Sequence, residues 1–424
     1  MKLPINMMIT NTMAKLTKKM MTKTKLFAAT LLVTTTAVVV AYPYYTVTPA
    51  NAKPTVPVVT LPVAPVPGQA QKIEVVFALD TTSSMSGLIH AAKEKIWSIA
   101  STMASAQSAP EIKMGLVAFR DRGDAYVTQV IDLSNDLDSM YAKLMDFNAA
   151  GGGDTPESVN QALYDAVHSV AWSQDQDTYK VVFLVGDAPP HMDYQDDVKY
   201  PDIIKAAHQK GIVINAIQCG EAHATQQNWQ TIAQLGQGAY FQVGQSGSAV
   251  ALKTPFDKNL ADLSRKLDDT RLYYGDAKVK ERKQKKLDAA DKLHALSSVE
   301  SRARRATFNA SKSGKNNLLG KGELVDEVAS GRVDLQEIEK EFLPALMQSM
   351  APAEQQALIV ETAQQRKELE SQIQALAIQR NTYIKKQLDE QGGASDSLDE
   401  KIFSAVRDQA GKKGLSYDAG LATY

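Results

Sequence analysis

The chain has 424 residues, too many for one ordinary core, so two folded regions are expected. Lys and Arg number 47 against 48 Asp and Glu, a net charge of −1 that leaves no electrostatic footprint for nucleic acid. A single cysteine, Cys219, excludes an internal disulfide.

Residues 1–52 read as a signal peptide or membrane anchor. Lys15, Lys18, Lys19, Lys23 and Lys25 form a basic region, Leu26 to Val40 an apolar one broken by threonines, and Ala50-Asn51-Ala52 an A-x-A cleavage site. An uncleaved anchor is the rival reading, since Leu26 to Tyr45 is just long enough to span a bilayer, but the Thr and Pro content and the A-x-A site favour cleavage. Methionines at 7, 8, 13, 20 and 21 leave the true start of the chain open. The expectation is export to the periplasm or cell envelope of a bacterium, with a membrane-anchored form as its variant. Residues 53–70, with prolines at 54, 57, 62, 65 and 67, describe an extended linker, which is a stalk if the anchor is retained.

Residues 71–250 alternate strand and helix patterns, which predicts a doubly wound, mostly parallel sheet with helices on both faces. The first apolar run, Val75-Val76-Phe77-Ala78-Leu79, ends in Asp80-Thr81-Thr82-Ser83-Ser84, so a carboxylate and two hydroxyls fall at alternate positions where a buried strand runs out. A helix after Gly87 puts Ile89, Ile96, Ile99 and Met103 on one face. Met114 to Phe119 reads as the second strand, Tyr126 to Leu133 as an edge strand and Leu137 to Phe147 as a helix. Gly151-Gly152-Gly153-Asp154-Thr155-Pro156-Glu157 is a flexible turn that opens a helix to Val170. The run from Lys180 to Val185 then delivers Asp187 after Gly186. Pro201 to Gln209 and Gln226 to Leu235 read as helices, Gly211 to Cys219 and Ala239 to Val243 as strands, with Cys219 a small buried hydrophobe.

Three loops thus offer oxygen ligands at the carboxyl edge of one sheet, where open α/β folds hold ligands. Taken singly, Asp80 and Ser84 suit helix caps and Thr155 and Asp187 suit turns. Taken together, D-x-T-x-S after the first strand, a Thr in a Gly-rich loop and an Asp after a central strand resemble the metal-ion-dependent adhesion site of a von Willebrand factor type A domain, of the bacterial exported type. The resemblance implies a divalent cation, Mg²⁺ or else Mn²⁺ or Ca²⁺, held by Asp80, Thr82, Ser84, Thr155 and Asp187. The family more often has Ser where Thr82 stands; the hydroxyl is kept. Neutral hydroxyl ligands leave the ion much of its charge, and the resemblance implies that an Asp or Glu of an unknown partner protein completes its coordination. That is recognition rather than turnover, so no catalytic residue and no enzyme is expected.

An enzyme alternative starts from Asp80 and the Gly186-Asp187 pair, which resemble haloacid dehalogenase-type phosphotransferases. Thr82 replaces the second Asp that such chemistry uses as general acid and base, which counts against it. Arg120, Asp121, Arg122 and Asp124 read as exposed loop charges that compensate one another. His191, with Asp193, Asp196 and Asp197, reads as a solvated loop. Asp154 and Glu157 either tune the Thr155 site or favour the helix N-terminus by their sign.

Residues 251–424 change in composition and read as helical. Lys278 to Arg305 carries mixed charge with Leu287, Leu293 and Leu296. Leu369, Ile373, Leu376 and Tyr383 repeat as a coiled-coil seam would, with Arg380 interrupting, so an antiparallel hairpin or small bundle is expected over a long zipper. Gly314 to Gly322 reads as a plain loop. A structural-scaffold alternative makes this region the working surface, open to self-association, with the metal only stabilising the sheet domain.

Overall fold

The computed structural model describes residues 71–153, 155–245, 252–390 and 397–417. The signal or anchor segment, the linker and Asp154 lie outside the described residues. Among the described residues no helix is long and apolar enough to cross a membrane.

The sheet has six strands: β1 (Lys72–Asp80), β2 (Glu111–Phe119), β3 (Thr128–Ser134), β4 (Tyr179–Gly186), β5 (Ile212–Cys219) and β6 (Gln237–Val243), in the order β3-β2-β1-β4-β5-β6. β1 pairs in parallel with β2 and β4, β4 with β5 and β5 with β6, while β3 joins β2 antiparallel at one edge. The central strands are apolar on both sides because both faces of the sheet are covered. Successive side chains alternate, so Val75 and Leu79 of β1 enter one core with Val181 and Val185 of β4, and Val76 and Ala78 enter the other with Val182 and Leu184.

Helices α1 (Ser86–Ala104) and α2 (Leu137–Leu144) cover the first face. Leu88, Ile89, Ile96, Trp97, Ile99 and Met103 are buried there, including all four apolar positions expected after Gly87. α3 (Val159–His168), α4 (Tyr200–Gln209) and α5 (His223–Leu235) cover the second through residues such as Leu163, Ile203 and Trp229. The helix expected from Glu157 begins at Val159 because the Glu157 backbone is engaged elsewhere, taking a hydrogen bond from His191 N–H and giving one to Pro189 C=O.

The remaining helices are α6 (Asp257–Asp268), α7 (Ala277–Leu296), α8 (Val299–Asn309), α9 (Lys315–Leu319), α10 (Leu324–Ala329), α11 (Pro352–Glu390) and α12 (Leu398–Gly411). Gly314 to Gly322 is not all loop, since α9 lies within it. The run expected from Lys278 to Arg305 breaks at Ser297-Ser298, where the Ser298 hydroxyl caps α8 by accepting from Ser301 N–H. α11 buries Ile359, Leu369, Ile373, Ala377, Arg380, Ile384 and Leu388, while Tyr383 is 36% exposed. Ile384, not Tyr383, continues the seam. Nor does Arg380 interrupt it: its guanidinium is buried against Asp257, Nε to Oδ1 2.7 Å.

Packing does not stop at residue 250. Ile402, Ala405, Val406 and Ala410 of α12 enter the same core as β1 and α1. Gln409 accepts from Tyr179 OH at 2.7 Å and exchanges hydrogen bonds with the Asn215 amide at 2.7 and 3.0 Å. Lys95 of α1 meets Asp399 of α12 at 3.0 Å, both buried. A helix more than 150 residues beyond β6 thus completes the layer on the α1 face.

Candidate metal site

Asp80 ends β1, and the chain turns at once into a short 3₁₀ segment, Ser83–Met85, that leads into α1. The turn is fixed by the carboxylate itself: Asp80 Oδ1 accepts from Thr82 N–H at 2.9 Å and from the Thr82 hydroxyl at 2.7 Å. Thr82 Oγ1 lies 3.2 Å from Ser84 Oγ, so the two hydroxyls converge. Asp80 Oδ2 is buried and receives no hydrogen bond. Burial pushes the Asp80 carboxyl up to about 7, with the charge of Asp187 adding to the effect and the Thr82 hydrogen bonds and the nearby Asp187 backbone N–H opposing it.

The Gly-rich loop leans on this turn. Ser83 N–H and its hydroxyl both donate to Gly151 C=O, at 3.3 and 2.8 Å, and Ala150 N–H donates to Thr81 C=O at 3.1 Å. Gly152 sits at φ +82°, and a Cβ there would come within 3.2 Å of Thr82 Cβ. The third loop is equally tight: a Cβ on Gly186 would lie 3.0 Å from Asp80 Cβ. Asp187 follows, its backbone C=O accepting from the Thr225 hydroxyl at 2.8 Å.

The structure therefore gathers Asp80, Thr82, Ser84 and Asp187. Thr155 is exposed on the Gly-rich loop, and its hydroxyl makes no hydrogen bond among the described residues. Sequence reasoning missed one participant. Gln245, just after β6, donates from Nε2 to Asp187 Oδ2 at 2.6 Å and to Ser84 C=O at 3.3 Å.

Two groups of loop residues are not solvated as expected. Arg120 and Asp121 are buried, with Arg120 donating to Thr81 C=O at 3.2 Å and to Asn148 C=O at 2.7 Å, and Asp121 accepting from Ser158 and Tyr194 hydroxyls at 2.7 and 2.8 Å. His191 is also buried, stacked on Tyr194 at 4.0 Å and bonded to Asp193 at 2.8 Å. These residues knit the loops after β2 and β4 together behind the site. Arg122 does pair with Asp196 and Asp197 on the surface.

Glu157 is 4% exposed, and its Oε2 receives no hydrogen bond. Burial drives its carboxyl up to about 9, and the charges of Asp80, Asp121, Asp124 and Asp187 raise it further. Two orphaned buried carboxylate oxygens, two convergent hydroxyls and a cradle too close for a Cβ suit a small hard cation. Among the described residues no three His, Cys, Asp or Glu side chains are placed to hold a metal, so hydroxyls must supply part of any ligand set. Cys219 is buried among apolar groups and its thiol is pushed up by burial.

A family model for the von Willebrand factor A domain matches residues 74–255. The chain carries a von Willebrand factor A domain. Solved structures similar to it include the VWA domain of SpRpn10, at 16% identity and TM-score 0.32 over 43% of this chain and 92% of that one. Proximal thread matrix protein 1 from the mussel byssus is similar at 15% identity and TM-score 0.32, over 42% of each chain. No curated protein matches the chain. The matched von Willebrand factor A span includes every strand of the sheet except the first two residues of β1, and all five candidate ligand positions. It stops before α6, leaving α12, which packs on the same sheet, outside it. Such domains are in general protein-interaction modules rather than enzymes.

Proposed function

We propose that this protein is an exported, metal-dependent binding protein in which Asp80, Thr82, Ser84, Thr155 and Asp187 hold a divalent cation, Mg²⁺ or else Mn²⁺ or Ca²⁺. The bound ion supplies a coordination position for an Asp or Glu carboxylate of a partner protein. The single observation that carries the reading is Asp80 Oδ2, buried without a donor beside the converging Thr82 and Ser84 hydroxyls. A buried acceptor left unpaired costs about 1–3 kcal/mol, and a cation removes that cost.

The chain's own groups do the positioning. Thr82 holds Asp80 in one rotamer through two hydrogen bonds, Gly151 and Gly152 bring the Thr155 loop against Thr82, and Gly186 lets β4 pass close enough to set Asp187 beside Asp80. Export rests on residues 1–52 as a signal peptide, or as an anchor that would tether the domain to the envelope membrane.

The test is capture of partners from envelope extract by the full chain in Mg²⁺ and in EDTA, read by mass spectrometry, with Asp80→Ala alongside. A protein retained only with Mg²⁺ and lost with the substitution supports the reading. Capture indifferent to both moves the function to the helical region, where Val360 and Ile378 are exposed at 59% and 69%.

A further inference from the structure

β3 is the outer strand of the sheet, and among the described residues no other strand pairs with its free edge. Gln129, Val130 and Asp132 are exposed along it, and Val130 is 38% accessible. An open edge of this kind carries unpaired N–H and C=O groups that can accept another extended chain.

Beside this edge runs a groove of about 570 Å³, lined by Arg120, Tyr126, Val130, Lys143, Phe147 and Asn148 among others. That volume is in the range of ligand clefts. Its upper end abuts the candidate metal site: the Tyr126 hydroxyl is 2.7 Å from Thr81 Oγ1 and Arg120 Nε is 3.2 Å from Thr81 C=O, and Thr81 lies between Asp80 and Thr82.

Arg120 and Lys143 line the groove against one carboxylate, Asp146, so its lining is positive by one charge, with Asp132 exposed on β3 beside it. Arg120 spends its hydrogen bonds on two neutral carbonyls and stacks over the Tyr126 ring at 4.4 Å, and no ion pair among the described residues uses it. At the end of α2, Lys93 donates to Met145 and Phe147 carbonyls, and Lys143 is exposed without a carboxylate partner among the described residues. The carboxylate of Asp146 at this end is taken by Lys292 at 2.6 Å.

We propose that the groove between β3 and the end of α2 seats an extended, acidic segment of a partner polypeptide, which adds its backbone to the β3 edge and sets a carboxylate at the Asp80 site. The metal-bridging part rests on the function proposed above; the edge pairing and charge preference rest on the groove itself.

The probe is a random dodecapeptide library displayed on phage, selected on the full chain in Mg²⁺, with enriched peptides resynthesised and their affinity followed by fluorescence polarisation. The proposal expects acidic peptides whose affinity falls at least tenfold when alternate backbone nitrogens are methylated in one register but not in the other. Their binding slows hydrogen exchange over residues 128–134, and Lys143→Glu, an exposed change, weakens them about fivefold. No enrichment, or enriched peptides indifferent to N-methylation that leave residues 128–134 unprotected, overturns it. If peptides bind the β3 edge equally well in EDTA, the edge proposal stands and the metal reading fails. If binding needs Mg²⁺ but protects other segments, the metal reading stands and this proposal fails.

Discussion

Gln409→Ala tests whether α12 is a working layer of the sheet domain rather than part of a separate helical appendage. The substitution leaves Tyr179 OH and Asn215 Nδ2 without their partner, while Asn215 Oδ1 keeps the hydrogen bond from Ala239 N–H at 2.7 Å. Tyr179 is 1% and Asn215 0% exposed. Each buried polar group left unpaired costs about 1–3 kcal/mol. Gln409 is itself half-buried, so water reaches part of the gap, and a loss of about 2–4 kcal/mol is expected. The assay is urea unfolding followed by the fluorescence of the buried Trp97 and Trp229, with the slope m checked for constancy. A Gln409→Ala midpoint that corresponds to less than about 0.5 kcal/mol of loss would refute the claim that this helix closes the sheet's layer.

Other expectations follow from the same geometry. Gly152→Ala puts a Cβ at φ +82° and 3.2 Å from Thr82 Cβ, and it should cost about 1–2 kcal/mol by thermal unfolding and weaken Mg²⁺ binding in calorimetry. Gln245→Ala frees Asp187 Oδ2 and should raise Mg²⁺ affinity; an unchanged or weaker affinity would show that the Gln245 contact does not compete with the ion. Lys95 is held down to about 8, by burial first and against the pull of Asp399, while the unfolded chain titrates near 10.5. The unfolded state therefore binds more protons between those values, so stability should rise with pH from about 8 to 10.5, by at most roughly 1.4 kcal/mol per pH unit from this group. Lys95→Met should flatten that rise in unfolding midpoints measured at pH 8, 9 and 10.

The alternation of strands and helices around a mostly parallel sheet, and the strand ends that carry Asp80 and Asp187, were legible because each depends on short-range pattern: a buried apolar run, then a polar donor, in a repeating strand-helix frame. The loops behind them were not. Arg120, Asp121 and His191 look like solvated charge, yet each is buried against another loop, Arg120 on Thr81, Asp121 on Ser158 and Tyr194, and His191 beside Asp121 at 3.4 Å, contacts that only the folded chain makes. Arg380 misled for the same reason, because its carboxylate partner, Asp257, lies 123 residues away. Nor does periodicity reveal that α12 belongs to the sheet, since an amphipathic helix does not say which apolar surface it will cover. Gln245 carries no sequence signal at all; its place is set by where β6 ends.

The most direct test of the central claim is isothermal titration of Mg²⁺ into the metal-free full chain and into Asp80→Ala, with circular dichroism confirming that both are folded. The account predicts one saturable site in the native sequence and its loss in the variant. Absence of binding to the native chain, or equal binding to both, would contradict a cation held at the end of β1.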